Sequence, residues 1–140
     1  MILTTHIATA LRTGLVAFVL IMTTAAHAVN DMGREPGVRL LARCELAQRV
    51  LGPSGSQGLS ADQQADAQAC IGFVEGFVWG HAWASWREAR DMWFCLPPGF
   101  SAVQGVPSVA GYLQAHPDRL EEEAHLLVFL ALTAAYPCKP

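Results

Sequence analysis

Four cysteines, three histidines beyond the N-terminal segment and a handful of carboxylates are the residues of this 140-residue chain that could do chemistry. Cys44, Cys70, Cys95 and Cys138 lie no closer than 25 positions to one another, so the closely spaced pairs of a zinc site are missing. An even count in an exported chain predicts two disulfides instead, and oxidised sulfur offers no thiolate for nucleophilic catalysis. Glu121 and His125 have the spacing of two metal ligands on one helix face. They suit equally a solvated acidic first turn near a positive helix end, and that is the reading adopted. Glu75 and His81 could form an acid–base pair, yet six residues set them about 120° apart on a helical wheel. A carboxyl beside Trp79 and Trp86 has its pKa raised unless it is paired, and Arg87 or Arg90 could supply a structural ion pair for Glu75. The chain carries no serine–histidine–acid set and no phosphate-binding glycine loop. No catalytic residue, no metal and no cofactor is therefore predicted.

The compartment follows from residues 1–28. A weakly basic start with Arg12 leads into the apolar block LVAFVLIM, and the segment closes on Ala26-His27-Ala28. This is the pattern of a signal peptide cleaved after Ala28, and its apolar core is short of the roughly 20 residues that span a bilayer. The expected product, 29–140, is one periplasmic domain with no membrane segment. Without Arg12 it carries about eight basic against twelve acidic side chains, a net charge near −4. That balance, with no run of lysine or arginine, argues against nucleic acid as a partner.

The elements that position these residues read as helices, with no convincing alternation of period two. A first helix is predicted from Pro36 to Leu51, with Leu40, Leu41, Cys44, Ala47 and Leu51 on one face. It stops at the flexible connection GPSGSQG. Ser60 and Gln63 form a capping box that opens a long helix fading near Arg90. CLPPGF then imposes a loop. Ser101 and Gln104 repeat the capping pattern, but Gly105, Pro107 and Gly111 leave open whether the third helix starts at Ser101 or only after Pro107. His116-Pro117 ends it, and Pro117 suits the first position of a fourth helix. The fold class is thus all-α, a disulfide-bonded domain of four to five helices.

The stretch CIGFVEGFVWGHAWASW, residues 70–86, repeats glycine at Gly72, Gly76 and Gly80 and tryptophan at Trp79, Trp83 and Trp86. Interior glycine costs a helix about 1 kcal/mol relative to alanine, so three of them need an offset. A strip without side chains admits a second helix closely, and a helix apolar on most sides belongs at the centre of its domain. Gly72, Gly76 and Gly80 are accordingly expected to be helix-packing positions and the tryptophans core residues. A solvent-exposed tryptophan strip used for binding is the alternative. Folding the first two helices antiparallel about Gln57 brings Cys44 level with Cys70, while Cys70 and Cys95 sit roughly 30 Å apart if one helix joins them. Cys44–Cys70 with Cys95–Cys138 is the expected pairing, and Cys44–Cys95 with Cys70–Cys138 the alternative.

Four motifs occur in a set order: C-x-GF-x-x-G at Cys70–Gly76, FC-x-P at Phe94–Pro97, YL-x-x-HP at Tyr112–Pro117 and A-x-x-LV-x-x-AL-x-x-AYPC at Ala124–Cys138. On them the chain resembles the Rap/Tai group of immunity proteins. That resemblance implies a periplasmic, helical, disulfide-bonded and often homodimeric protein that protects against a cell-wall amidase effector of a type VI secretion system. The motifs are fold-forming cysteines, glycines and prolines, so no partner-binding residue carries over. Inhibition by occlusion needs an exposed rigid feature. The loop Leu96–Ser108 beside Cys95 is the candidate, with Phe100 near its tip and Gln104 beyond it as partner-binding positions. Two other functions fit the residues: a periplasmic binding or chaperone-like protein that uses the tryptophan strip for an apolar client or ligand, and a small hydrolase relying on Glu75 or His125.

Overall fold

A computed structural model describes residues 34–88 and 92–138, with the side chains of Arg87 and Glu88 outside the description. The expected signal peptide, residues 1–28, and Arg90 lie outside the described residues. Four α-helices and one short 3₁₀ turn make up the described chain. Helix α1 is Gly37–Leu51, α2 Ala61–Glu88, α3 Ala102–Ala115 and α4 Ala124–Ala135, with the 3₁₀ turn at Pro117–Arg119. The domain is all-α.

Each boundary has a local cause. Helix α1 stops where the Gly52 N–H donates to the Arg49 carbonyl at 3.2 Å. Helix α2 starts on its capping box: the Gln63 N–H donates to Ser60 Oγ at 3.2 Å and the Ser60 N–H to Gln63 Oε1 at 2.9 Å. The Ser101 N–H likewise donates to Gln104 Oε1 at 2.9 Å, which decides the open question of the third helix. It begins at Ala102 and runs through Pro107. Pro107 is exposed, and the carbonyl deprived of its donor, four residues back, belongs to exposed Val103.

The fourth helix departs from expectation. It begins at Ala124, not at Pro117, because the carbonyls between them serve another helix. The Gly37 N–H donates to Glu122 O and the Val38 N–H to Leu120 O, both at 2.9 Å, satisfying two of the donors that α1 leaves unpaired at its start. The Ala124 N–H returns a bond to Glu35 O at 2.9 Å. Arg119 stiffens the crossing by clasping both carboxylate oxygens of Glu122, at 2.7 and 2.8 Å, and donating to Tyr112 Oη at 2.9 Å. Those bonds hold the Glu122 carboxyl below its ordinary pKa and raise that of the Arg119 guanidinium.

The core joins Leu40, Cys44 and Ala47 of α1 to Ala67, Cys70, Val74 and Val78 of α2, with Val106, Val109 and Leu113 of α3 and Leu127, Val128 and Leu132 of α4. Cys44 and Cys70 form one disulfide and Cys95 and Cys138 the other, which is the expected pairing. Arg43 adds a polar tie, with its guanidinium reaching both Glu35 and Asp66 of α2. Two glycines make close packing possible. A Cβ on Gly37 would run into the Leu127 side chain and stand 3.1 Å from Leu120 O. On Gly105 it would lie 2.8 Å from Phe100 Cζ and 3.0 Å from Val74 Cγ1.

Candidate functional site

Helix α2 uses its two halves differently. Ala67, Cys70, Val74 and Val78 recur at three and four residues and point into the core. Gly72 and Gly76 lie about 160° from the middle of that stripe and Gly80 about 125°, and a Cβ built on any of them meets nothing within 4 Å. The expectation that a helix of this chain closes on these glycines is thus corrected. The Cys44–Cys70 bond fixes which side of α2 faces α1, and the glycines are on the other. The tryptophans are corrected with them: Trp79, Trp83 and Trp86 are 71%, 63% and 75% exposed, so they are not core residues.

These three indoles and the glycines form a single apolar surface. Trp83 and Trp86 lean on each other with ring centres 5.2 Å apart. Trp79 and Ala82 continue the surface into a groove of about 420 Å³, floored by Val78 and walled by Met92, Leu96 and Phe100. The groove escaped the sequence reading because its far wall lies beyond residues 89–91 along the chain. Met92 and Leu96 flanking Cys95 were the available signal, since the Cys95–Cys138 bond anchors that wall. Trp93, also exposed, turns the other way and meets Phe129 of α4 edge-on at 6.0 Å.

The remaining candidates fall in separate places. Phe100 is half-buried, its ring edge-on to Tyr136 at 5.3 Å and against Gly105, so it is not the free tip of its loop. Pro97, Pro98 and Gly99 form the exposed turn. Gln104 is exposed but its side-chain oxygen is engaged by the Ser101 N–H. The base of the loop is fixed by the Cys95–Cys138 bond and by the Cys95 N–H donating to Tyr136 O at 2.8 Å.

The imagined metal and acid–base pairs are not assembled. Glu121 precedes α4, so it does not share a helix face with His125. His125 Nδ1 stands 3.4 Å from a Glu123 carboxylate oxygen instead. Among the described residues no three histidine, cysteine or acidic side chains converge as metal ligands. His81 turns to the inner side of α2, where its ring stacks on buried Phe94 at 4.2 Å. Its Nε2 is enclosed with no hydrogen-bond partner among the described residues. Burial pushes the imidazole below its ordinary value of 6.5. Glu75 is half-buried on α2.

The family model of the Rap1a immunity proteins matches residues 36–138, which run from the N-cap of α1 to the last disulfide cysteine. The chain belongs to the Rap1a immunity protein family. No curated protein and no solved structure matches it at a significant level. Membership gives this Rap1a-family protein a general role, that of an immunity protein paired with a partner effector, in a class that is generally non-enzymatic. No described helix is long and apolar enough to cross a membrane.

Proposed function

We propose that this Rap1a-family protein is a periplasmic inhibitor of a peptidoglycan amidase delivered by a type VI secretion system. It is exported by its cleaved leader, acts as a homodimer, and blocks access to the amidase active site without chemistry of its own. The observation that carries this reading is the family match across the whole four-helix unit. The resemblance of the closing motif AYPC and its three companions to Rap/Tai proteins supports the amidase as the partner class.

The occluding feature in this reading is the segment Leu96–Ser108. Its base is tied by a disulfide and its far side is capped into α3, so little chain entropy is lost when it docks. Pro98, Gly99 and Val103 are exposed. Gln104 offers its amide NH₂ to an acceptor on the partner, while Phe100 acts from beneath by shaping the groove wall. The exposed indoles favour a second reading, in which the face built by Trp79, Trp83 and Trp86 holds an apolar client.

The test is a pull-down with the oxidised protein from extracts of the producing bacterium and its relatives, with mass spectrometry of what is retained. Stoichiometric recovery of a cell-wall amidase, whose activity falls when the protein is added, is expected. Recovery of assorted unfolded or apolar clients with no amidase would support the second reading in place of the first.

A further inference from the structure

We infer that the glycine–tryptophan face of α2 is the surface through which two copies of this chain pair, each inserting indole side chains into the groove of the other. The inference rests on the proposed homodimer and assigns it a surface. Three observations choose a second copy as the occupant.

The first is area. Indoles bury roughly 150–250 Å² each, so Trp79, Trp83 and Trp86, all more than three-fifths exposed, offer on the order of 400 Å² of apolar surface before the groove is counted. A standard interface takes about 800 Å² from each partner, a little over half of it apolar. One face of one helix with its adjoining groove is at that scale. The indoles alone match the largest apolar patch of a typical monomer, which is often functional, and the adjoining groove extends it further.

The second is shape. A two-fold interface must be self-complementary, because the same patch serves both partners. This face carries a projection and a recess side by side: the indoles of Trp83 and Trp86, and the groove between Val78 and Leu96. At about 420 Å³ the recess is at the small end of the range that encloses organic groups. A two-fold rotation sets the projection of each copy over the recess of the other. Gly72, Gly76 and Gly80 lie open beside the indoles, so the partner's α2 can approach along a strip where no side chain holds it off. The poorest helix formers after proline thereby gain a packing role that their own chain does not give them.

The third is charge. From Gly76 to Trp86 the sequence has no Asp, Glu, Lys or Arg, and Glu75, the one charged residue between Gly72 and Trp86, is half-buried, whereas the chain as a whole is acidic, with a formal charge of −3. Two identical acidic molecules repel over most of their surfaces and approach most easily where they are neutral.

Sedimentation equilibrium of the disulfide-bonded protein, produced from the full chain, tests this without any effector. A dimer at micromolar concentration is expected. Gly76→Leu is the decisive variant, because its side chain has open space in the single chain and would obstruct only an approaching helix. It should raise the dimer dissociation constant about 30-fold or more, as should Trp83→Glu, with helical circular dichroism unchanged in both. A wild-type protein that stays monomeric overturns both the dimer and its surface. A dimer that neither variant weakens overturns the surface alone and leaves the dimeric inhibitor standing. Amidase capture is read separately, so failure of the partner assignment is not confused with either result.

Discussion

Gly105 and Gly76 are both helical glycines, and the surroundings of each give it a different task. Around Gly105 the space of a side chain is already taken by Phe100 and Val74, so the glycine is where α3 settles on α2. Around Gly76 there is nothing within 4 Å. The same division runs along α2. Up to Val78 the helix turns Ala67, Cys70 and Val74 into a disulfide-pinned core, and beyond it the tryptophans face outward. A family resemblance carried by cysteines, glycines and prolines thus mixes residues that build the domain with residues that leave a surface ready for company.

The largest effect should come from the buried half. Replacing Cys44 and Cys70 together by alanine removes a loop constraint of about 3 kcal/mol, and both positions are fully buried in the core. For a domain of this size the midpoint of thermal unfolding should fall on the order of 15 °C. A drop of only a few degrees would mean that α1 and α2 hold together without their bond. Next comes Gly105→Ala, whose Cβ would press on Phe100 and Val74. Overpacking of this kind costs about 1–3 kcal/mol, measurable as a shifted denaturant midpoint at unchanged slope. A neutral result would show that Phe100 can yield, and would weaken the contrast between the two glycines.

Helix number, the two capping boxes and the disulfide pairing were legible because each is a local signal or a consequence of chain length. The orientation of α2 was legible in part and misread. Once Cys70 is taken to face α1, the wheel puts Gly72 nearly opposite it and Gly76 about 120° away, but the expense of three interior glycines invites an internal partner for them. A single sequence does not say whether a bare strip is covered by its own chain or left to another. The late start of α4 had no local signal, since Pro117 suits a helix start well. It is imposed from a distance, by the N–H groups of Gly37 and Val38 claiming Glu122 O and Leu120 O. Phe100 was misplaced for a similar reason: its turn of prolines and glycine was read as exposed, and Gly105 draws the ring inward.

A smaller effect probes the border between the two halves, where His81 turns inward from a segment whose tryptophans turn outward. Burial against Phe94 lowers its folded-state pKa below 6.5, so the unfolded chain takes up the proton first as pH falls. The stability owed to neutral His81 is complete above about pH 6.5 and is lost as pH falls through the lowered folded-state value. Glu122, whose pKa is lowered by the Arg119 bonds, contributes a separate loss only below the ordinary carboxylate range of about 4.5. Thermal midpoints measured between about pH 7 and pH 5 should therefore fall for the wild type and change less for His81→Phe, which keeps a ring on Phe94. Parallel profiles would place the imidazole in solvent and move the border of the buried half toward Val78.

The smallest expected effect is also the sharpest on the glycines, because it predicts a sign. Gly76→Ala adds one methyl group where the chain leaves room, and alanine is favoured over glycine in a helix interior by about 0.5–1 kcal/mol. Below the concentration at which copies pair, the variant should be more stable than the wild type by roughly that amount, the opposite of Gly105→Ala. Where copies pair, the methyl holds the two helices apart, and the gain should shrink or reverse as concentration rises. Urea unfolding at two protein concentrations reads both terms. A gain that is the same at both would assign Gly76 to solvent, and the glycine strip would then have no role in pairing.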